Sequence, residues 1–176
     1  MHKATLAGNP VRKCRIQLQQ SMHDFADSCG IGYFALCITE GGCYESVPPT
    51  VVMYLKIHLP ELDLTRLKVE YSMFQRQLRQ MNFQTIQLEL PDPDMRANPV
   101  RQLREHLQFG YAEFYKLLCI NPGVLYRVEH DKYRRIPSQL ERALEDVAMP
   151  KDEIEELDFR LTERYERVQR RSRSRV

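Results

Sequence analysis

Basic side chains crowd one short stretch of the chain. Arg127, Lys132, Arg134 and Arg135 lie within nine residues, interleaved with Tyr126 and Tyr133. A guanidinium is a planar fork of donors that fits a guanine edge with two hydrogen bonds, and basic groups on a loop suit phosphates. The chemistry on offer is therefore recognition of a polyanion. Each group also has a plainer reading: Arg127 as half of a surface ion pair, Arg134 and Arg135 as a solvated loop. From Arg164 to the end there are six more arginines, a tail that either meets phosphate or is simply solvated.

No comparable arrangement supports catalysis. Cys14, Cys29, Cys37, Cys43 and Cys119 are odd in number and contain no C-x-x-C pair. Reduced thiols, most of them in cores, are expected rather than a metal site. His2, His23, His58, His106 and His130 are scattered without ligand spacing. There is no Gly-rich phosphate loop, no H-E-x-x-H and no nucleophile elbow. The expectation is a protein that is not an enzyme and uses no cofactor or metal. No run approaches the roughly 18–20 apolar residues of a membrane span, and the first ten residues lack a signal-peptide core. A cytoplasmic protein with no membrane partner is expected. Composition is that of an ordinary globular chain, 43% hydrophobic and 28% charged, with a net charge of only +2.

The elements that must position the basic groups come in two copies. A shift of 89 positions sets 9–48 against 98–137 without a gap, giving 13 identities in 40 columns. Both copies open with Asn-Pro-Val-Arg, at Asn9 and at Asn98. The other identities are Arg15/Arg104, Leu18/Leu107, Gln19/Gln108, Phe25/Phe114, Ile31/Ile120, Leu36/Leu125, Glu40/Glu129, Tyr44/Tyr133 and Pro48/Pro137. Asn followed by Pro is a strong helix start, the Asn capping and the Pro fitting the first turn. Five helices per copy are predicted, near 10–19, 22–29, 33–39, 48 onward and 61–80. In the second copy they fall near 99–108, 111–118, 122–129, 137 onward and 151–170. Between the copies, Gln84 to Leu90 alternates as a short strand does, and Pro91-Asp-Pro-Asp reads as a turn or linker. The predicted organisation is a first unit at 1–81, a linker at 82–97 and a second unit at 98–176.

Residues 107–129 resemble the helix-turn-helix of the Cro/CI (XRE-type) regulators of phages and bacteria. The matching positions are Phe114 and Leu117-Leu118 on the first of the two helices, Cys119 at the turn and Ile120 after it. Asn121-Pro122 supply the cap, and Leu125, Val128 and Glu129 follow on the second helix. The resemblance spans 100–147 and reaches 11–55 through the repeat. It implies an all-α fold of two five-helix Cro/CI-like units, with a short strand as an option in the connection. It implies a transcriptional regulator, such as a repressor, that binds double-stranded DNA and generally works as a homodimer. The DNA-facing residues it implies are Arg101, Arg104, Tyr111, Asn121, Pro122, Gly123, Tyr126, Arg127, Lys132, Tyr133, Arg134 and Arg135. Tyr111 stands where the family often has a polar residue such as Gln, and Gly123 and Val124 carry no hydrogen-bonding side chain. Specificity is then modest or comes partly from DNA shape.

The first copy departs further. Ile38 stands where Arg127 stands, and Glu45 and Ser46 replace Arg134 and Arg135. Such a face repels phosphate. Tyr33, Phe34 and Ile38 either fill core or form a face for a protein partner. The competing reading for the whole chain is an adaptor or antagonist that binds proteins with both degenerate units and no DNA. An acid beside each of Arg127, Arg134 and Arg135 would favour that reading.

Overall fold

A computed structural model describes residues 8–83, 86, 88–94 and 96–173. Among them the protein is all-helical, with ten helices and no strand. None of these helices is long and apolar enough to cross a membrane. The chain divides into two compact units, at 1–81 and 82–176.

The first unit contains α1 (Pro10–Gln17), α2 (Met22–Ser28), α3 (Tyr33–Glu40), α4 (Pro49–His58) and α5 (Leu64–Asn82), whose last residue falls past the boundary. Its core is built by Val11, Phe25, Leu36, Val51 and Leu55, all fully buried, together with Leu67 and Tyr71 from α5. The second unit contains α6 (Pro99–His106), α7 (Tyr111–Leu117), α8 (Pro122–Glu129), α9 (Ser138–Asp146) and α10 (Lys151–Arg173). Val100, Phe114, Leu118, Ile120, Leu125, Val128 and Leu144 are fully buried there, and Leu157 and Leu161 of α10 close the core. Of the expected core residues on this helix pair, only Leu107 remains partly exposed.

The Asn-Pro openings do more than start helices. Asn9 Oδ1 accepts from the amides of Val11 and Arg12, while its Nδ2 donates to the carbonyls of Thr39 and Glu40, both at 3.1 Å. Asn98 caps Val100 and Arg101 in the same way and donates to the Val128 carbonyl at 2.9 Å and to Asp131 Oδ1 at 2.8 Å. One buried amide thus satisfies a helix start and ties it to the end of the third helix of its unit.

Several helix boundaries differ from expectation. The opening helices stop at Gln17 and His106, because Gln19 and Gln108 adopt left-handed backbone (φ 54° and 60°). The fourth helices begin one residue later than predicted, with Pro48 and Pro137 as caps outside them. The α5 helix begins at Leu64, where the Asp63 carboxylate accepts from the amides of Thr65 and Arg66.

The connection at 82–97 belongs with the second unit. Phe83 and Leu88 are buried in that unit's core, and Ile86 and Leu90 pack against it. No strand forms at Ile86 or at 88–90, while Gln84, Thr85 and Gln87 lie outside the described residues. A strand needs a neighbour to satisfy its backbone, and the described residues offer none. Side chains do that work instead. Leu90 N donates to Glu153 at 3.1 Å, and Arg160 donates to the Pro91 carbonyl at 2.8 Å.

Candidate nucleic-acid interface

The geometry starts from the turn between α7 and α8. Cys119 is left-handed (φ 49°), and the Ile120 amide reaches back to the Tyr115 carbonyl at 3.0 Å. That closes α7 as a left-handed residue usually closes a helix. Asn121 then caps α8 by accepting from Gly123 N at 2.8 Å, and Pro122 holds the first-turn conformation. The Tyr111 hydroxyl donates to the Pro122 carbonyl, so the start of α7 is pinned to the start of α8. Burial, followed by the negative charge of Glu129, pushes the Tyr111 phenol above its ordinary pKa, so it stays a donor. Tyr111 and Asn121 are thus half-buried residues that fix the helix pair, and Pro122 is half-buried beside them.

The outward side of α8 is open. Gly123, Tyr126 and Arg127 are exposed, and the Tyr126 ring stacks on His130 at 4.0 Å. Arg127 donates to the Gly123 carbonyl at 3.1 Å and lies 5.5 Å from the centre of the half-buried Tyr133 ring. Lys132, Arg134 and Arg135 follow, all exposed. Among the described residues no carboxylate pairs with Arg127, Lys132 or Arg135, whereas Arg134 meets Glu166 at 2.8 Å. Arg127 therefore lacks the surface pair that its plainer reading expected, and Arg134, expected as part of a solvated loop, is held by an acid instead.

Arg104 requires a correction. Expected on the DNA-facing side, it lies inside the unit with its side chain 12% exposed. Its Nε and Nη2 clasp the two oxygens of Glu129 at 2.7 and 3.1 Å, and its Nη1 donates to the Phe109 carbonyl at 3.0 Å. The hydrogen bond to Glu129 holds the guanidinium pKa above its ordinary value, against the opposing effect of burial. Arg101 is half-exposed, 3.8 Å from the same carboxylate, and its Nε is buried without a hydrogen-bond partner. It too leans on Glu129 rather than standing free. The first unit holds an equivalent clasp, with Arg15 Nε and Nη2 at 2.6 and 3.1 Å from Glu40 and Nη1 at 2.9 Å from the Gln20 carbonyl. The sequence signal was present: Arg15, Glu40, Arg104 and Glu129 are charged identities of the repeat, 25 residues apart in each copy.

Sequence reasoning also passed over Asp131, Asp158, Thr162 and Glu166, and read Arg164 as the start of a phosphate-meeting or solvated tail. Arg164 binds Asp131 at 3.1 Å and the Arg96 carbonyl at 2.6 Å, so the closing helix fixes both the connection and the turn after α8. In the first unit, Tyr33 and Phe34 are not core residues. They are 46% and 66% exposed, with Tyr33 stacked on His23 at 4.2 Å. Ile38 is half-buried. Four of the five cysteines are buried and Cys37 is half-buried; burial pushes the Cys29 thiol up to about 11. No cluster able to hold a metal ion occurs among the described residues.

Comparison of the chain with protein-family models, with curated proteins and with solved structures gives no match.

Proposed function

We propose that this chain is a DNA-binding transcriptional regulator built as a tandem of Cro/CI-like units, of the sort carried by phages, plasmids and other mobile elements. It reads DNA with α8 of the second unit and acts in the cytoplasm. The observation that carries the reading is the open face of α8, where Arg127 stands without an acidic partner beside the exposed Lys132 and Arg135. An exposed arginine on the second helix of such a pair is placed to reach a base edge, and the loop after it to reach phosphates. The tandem reading draws support from the backbone. Three left-handed residues of one unit, Gln19, Gly30 and Gly42, lie 89 positions before three of the other, Gln108, Cys119 and Asp131, while the left-handed Ala148 has no such counterpart at Leu59.

Selection of bound duplexes from a random pool supplies the site for the test. Arg127→Ala should weaken binding to that site by about 1–3 kcal/mol and relax the preference at one base pair. Arg135→Ala should weaken binding to every sequence and flatten the salt dependence by about 0.9 in log–log slope. Unchanged binding by both variants at two salt concentrations would remove the DNA reading in favour of the protein-binding adaptor.

The first unit supports a different role, contact with a protein. Its exposed Phe34 and Tyr33 stand where the second unit has Gly123 and Pro122 in the 89-residue register. With one DNA-competent unit per chain, a palindromic site needs two chains. A homodimer through the first unit's apolar face is the proposed assembly; the apolar stripes of α5 and α10 are not open to a second chain, because Leu67, Tyr71, Phe74, Leu78, Ile154, Leu157 and Leu161 are all buried. Light scattering with and without DNA should give twice the chain mass. A monomer mass in both conditions would mean that one chain reads a single half-site.

A further inference from the structure

The exposed loop after α8 is held along one face of α10. The Ile136 amide donates to Asp158 Oδ1 at 2.7 Å, the Thr162 hydroxyl donates to the Arg134 carbonyl at 3.0 Å, and Arg134 Nη2 donates to Glu166 Oε1 at 2.8 Å. Asp158, Thr162 and Glu166 are spaced by four, so they line one side of the helix. The same side continues to Arg170, whose Nη2 lies 3.4 Å from the other Glu166 oxygen and whose side chain is 79% exposed. Arg173, seven residues beyond Glu166, is the next residue on that side and is exposed. Glu166 thus stands between Arg134 of the loop and Arg170 of the helix, with one oxygen towards each. Beyond Arg164, which is committed to Asp131, the helix carries Arg167, Arg170, Arg171 and Arg173 against this one glutamate. A helix C-terminus favours cations only within its last turn. That preference does not explain why the basic run begins at Arg167, a turn earlier, on a helix that holds a loop that is itself basic.

Resting on the DNA-binding reading, we infer that the last turns of α10 continue the phosphate-contacting surface of the α8–α9 loop. Arg170 and Arg173 follow the duplex backbone, and Glu166 is the carboxylate that phosphate displaces from Arg134 and Arg170. The occupant is duplex DNA rather than an acidic peptide because the basic strip is continuous with the open side of α8. Arg127 lies over Tyr133, Tyr133 adjoins Arg134, and Arg134 meets Glu166. In the free protein the glutamate lowers the positive potential of the strip. Its contacts are solvent-exposed, 63% on Arg134 and 40% on Glu166, and such pairs break at little cost.

The test uses the full chain and a labelled duplex of about three helical turns of mixed sequence, with anisotropy titrations at several salt concentrations. Arg170→Gln with Arg173→Gln should make the log–log salt slope shallower by about 1.8 and leave the sequence preference intact. Glu166→Gln should tighten binding several-fold at low salt, and the gain should fade as salt screens the strip. All three side chains lie at the surface, so thermal melts should match the parent. A double variant with the parent's slope, or Glu166→Gln binding no tighter than the parent, overturns this inference while the DNA reading stands. Binding to anionic vesicles without any binding to duplex overturns both.

Discussion

Glu129→Gln should destabilise the second unit by about 3 kcal/mol, the largest loss expected from a change of so few atoms. Glu129 is almost fully buried, and among the described residues it is the one buried carboxylate that pairs with the Arg104 guanidinium; Glu105, 3.6 Å away, is largely solvent-exposed. Removing the charge leaves a cation in a site that excludes most water, and the amide can accept only part of the lost fork of hydrogen bonds. Arg101, with its buried unpartnered Nε, loses its nearest acid at the same time. Chemical denaturation followed by circular dichroism checks the loss. A change below about 1 kcal/mol would mean that the clasp is solvated and weak, as surface pairs are. The double replacement Arg104→Met with Glu129→Leu should recover most of the stability, since a buried pair exchanged for apolar side chains of similar volume is often neutral. Recovery would also separate structure from function. Arg104 touches no outward face, so the double variant should bind duplex as the parent does.

The clasp shows where the sequence was easy to read and where it was not. The starts of α1, α6 and α8 were legible because Asn-Pro writes the cap and the first-turn conformation into adjacent residues. The core of the helix pair was legible because Phe114, Leu118, Ile120, Leu125 and Val128 are apolar at helical spacing, and all five are fully buried. Arg104 was misleading because a charged residue on a short helix ordinarily points to water. Its partner is 25 positions away, beyond any local rule. The helix ends were missed at Gln19 and Gln108 because neither is Gly or Asn, the residues that usually announce left-handed backbone. The alternation at 84–90 resembled a strand because apolar residues at every second position carry no information about whether a neighbouring strand is there to pair with. Leu88 is buried against helices and has no strand beside it among the described residues. On the candidate interface, the exposure of Tyr126 and Arg127 was readable from the helical register, and that of Lys132 and Arg135 from their place in a polar loop. The hold of α10 on the loop was not, since it joins Arg134 to Glu166 across 32 residues.

The two phenylalanines of the repeat provide the sharpest division of labour. Phe25 and Phe114 are both fully buried, each in the centre of its own unit's core. Truncation of a buried Phe to Ala removes the burial of the ring and leaves a cavity, at about 3–5 kcal/mol in either place. That is a large share of the roughly 5–15 kcal/mol that holds a domain folded. The local effects should therefore be alike and the functional effects opposite. Phe114→Ala loosens the packing beneath α7 and α8, so the helix that carries Arg127 loses its fixed position and duplex binding should collapse. Phe25→Ala loosens the unit whose corresponding helix carries Tyr33, Phe34 and Ile38 in place of basic readers. It should leave the salt dependence of duplex binding unchanged on a single half-site, and it should weaken whatever assembly the first unit supports. Anisotropy with a half-site duplex, light scattering and circular dichroism on the same samples resolve the three effects. Equal loss of half-site binding in both variants would mean that the first unit shapes the DNA surface, and the assignment of DNA reading to the second unit alone would have to be abandoned. Self-association untouched by Phe25→Ala would instead move the dimer contact away from the first unit.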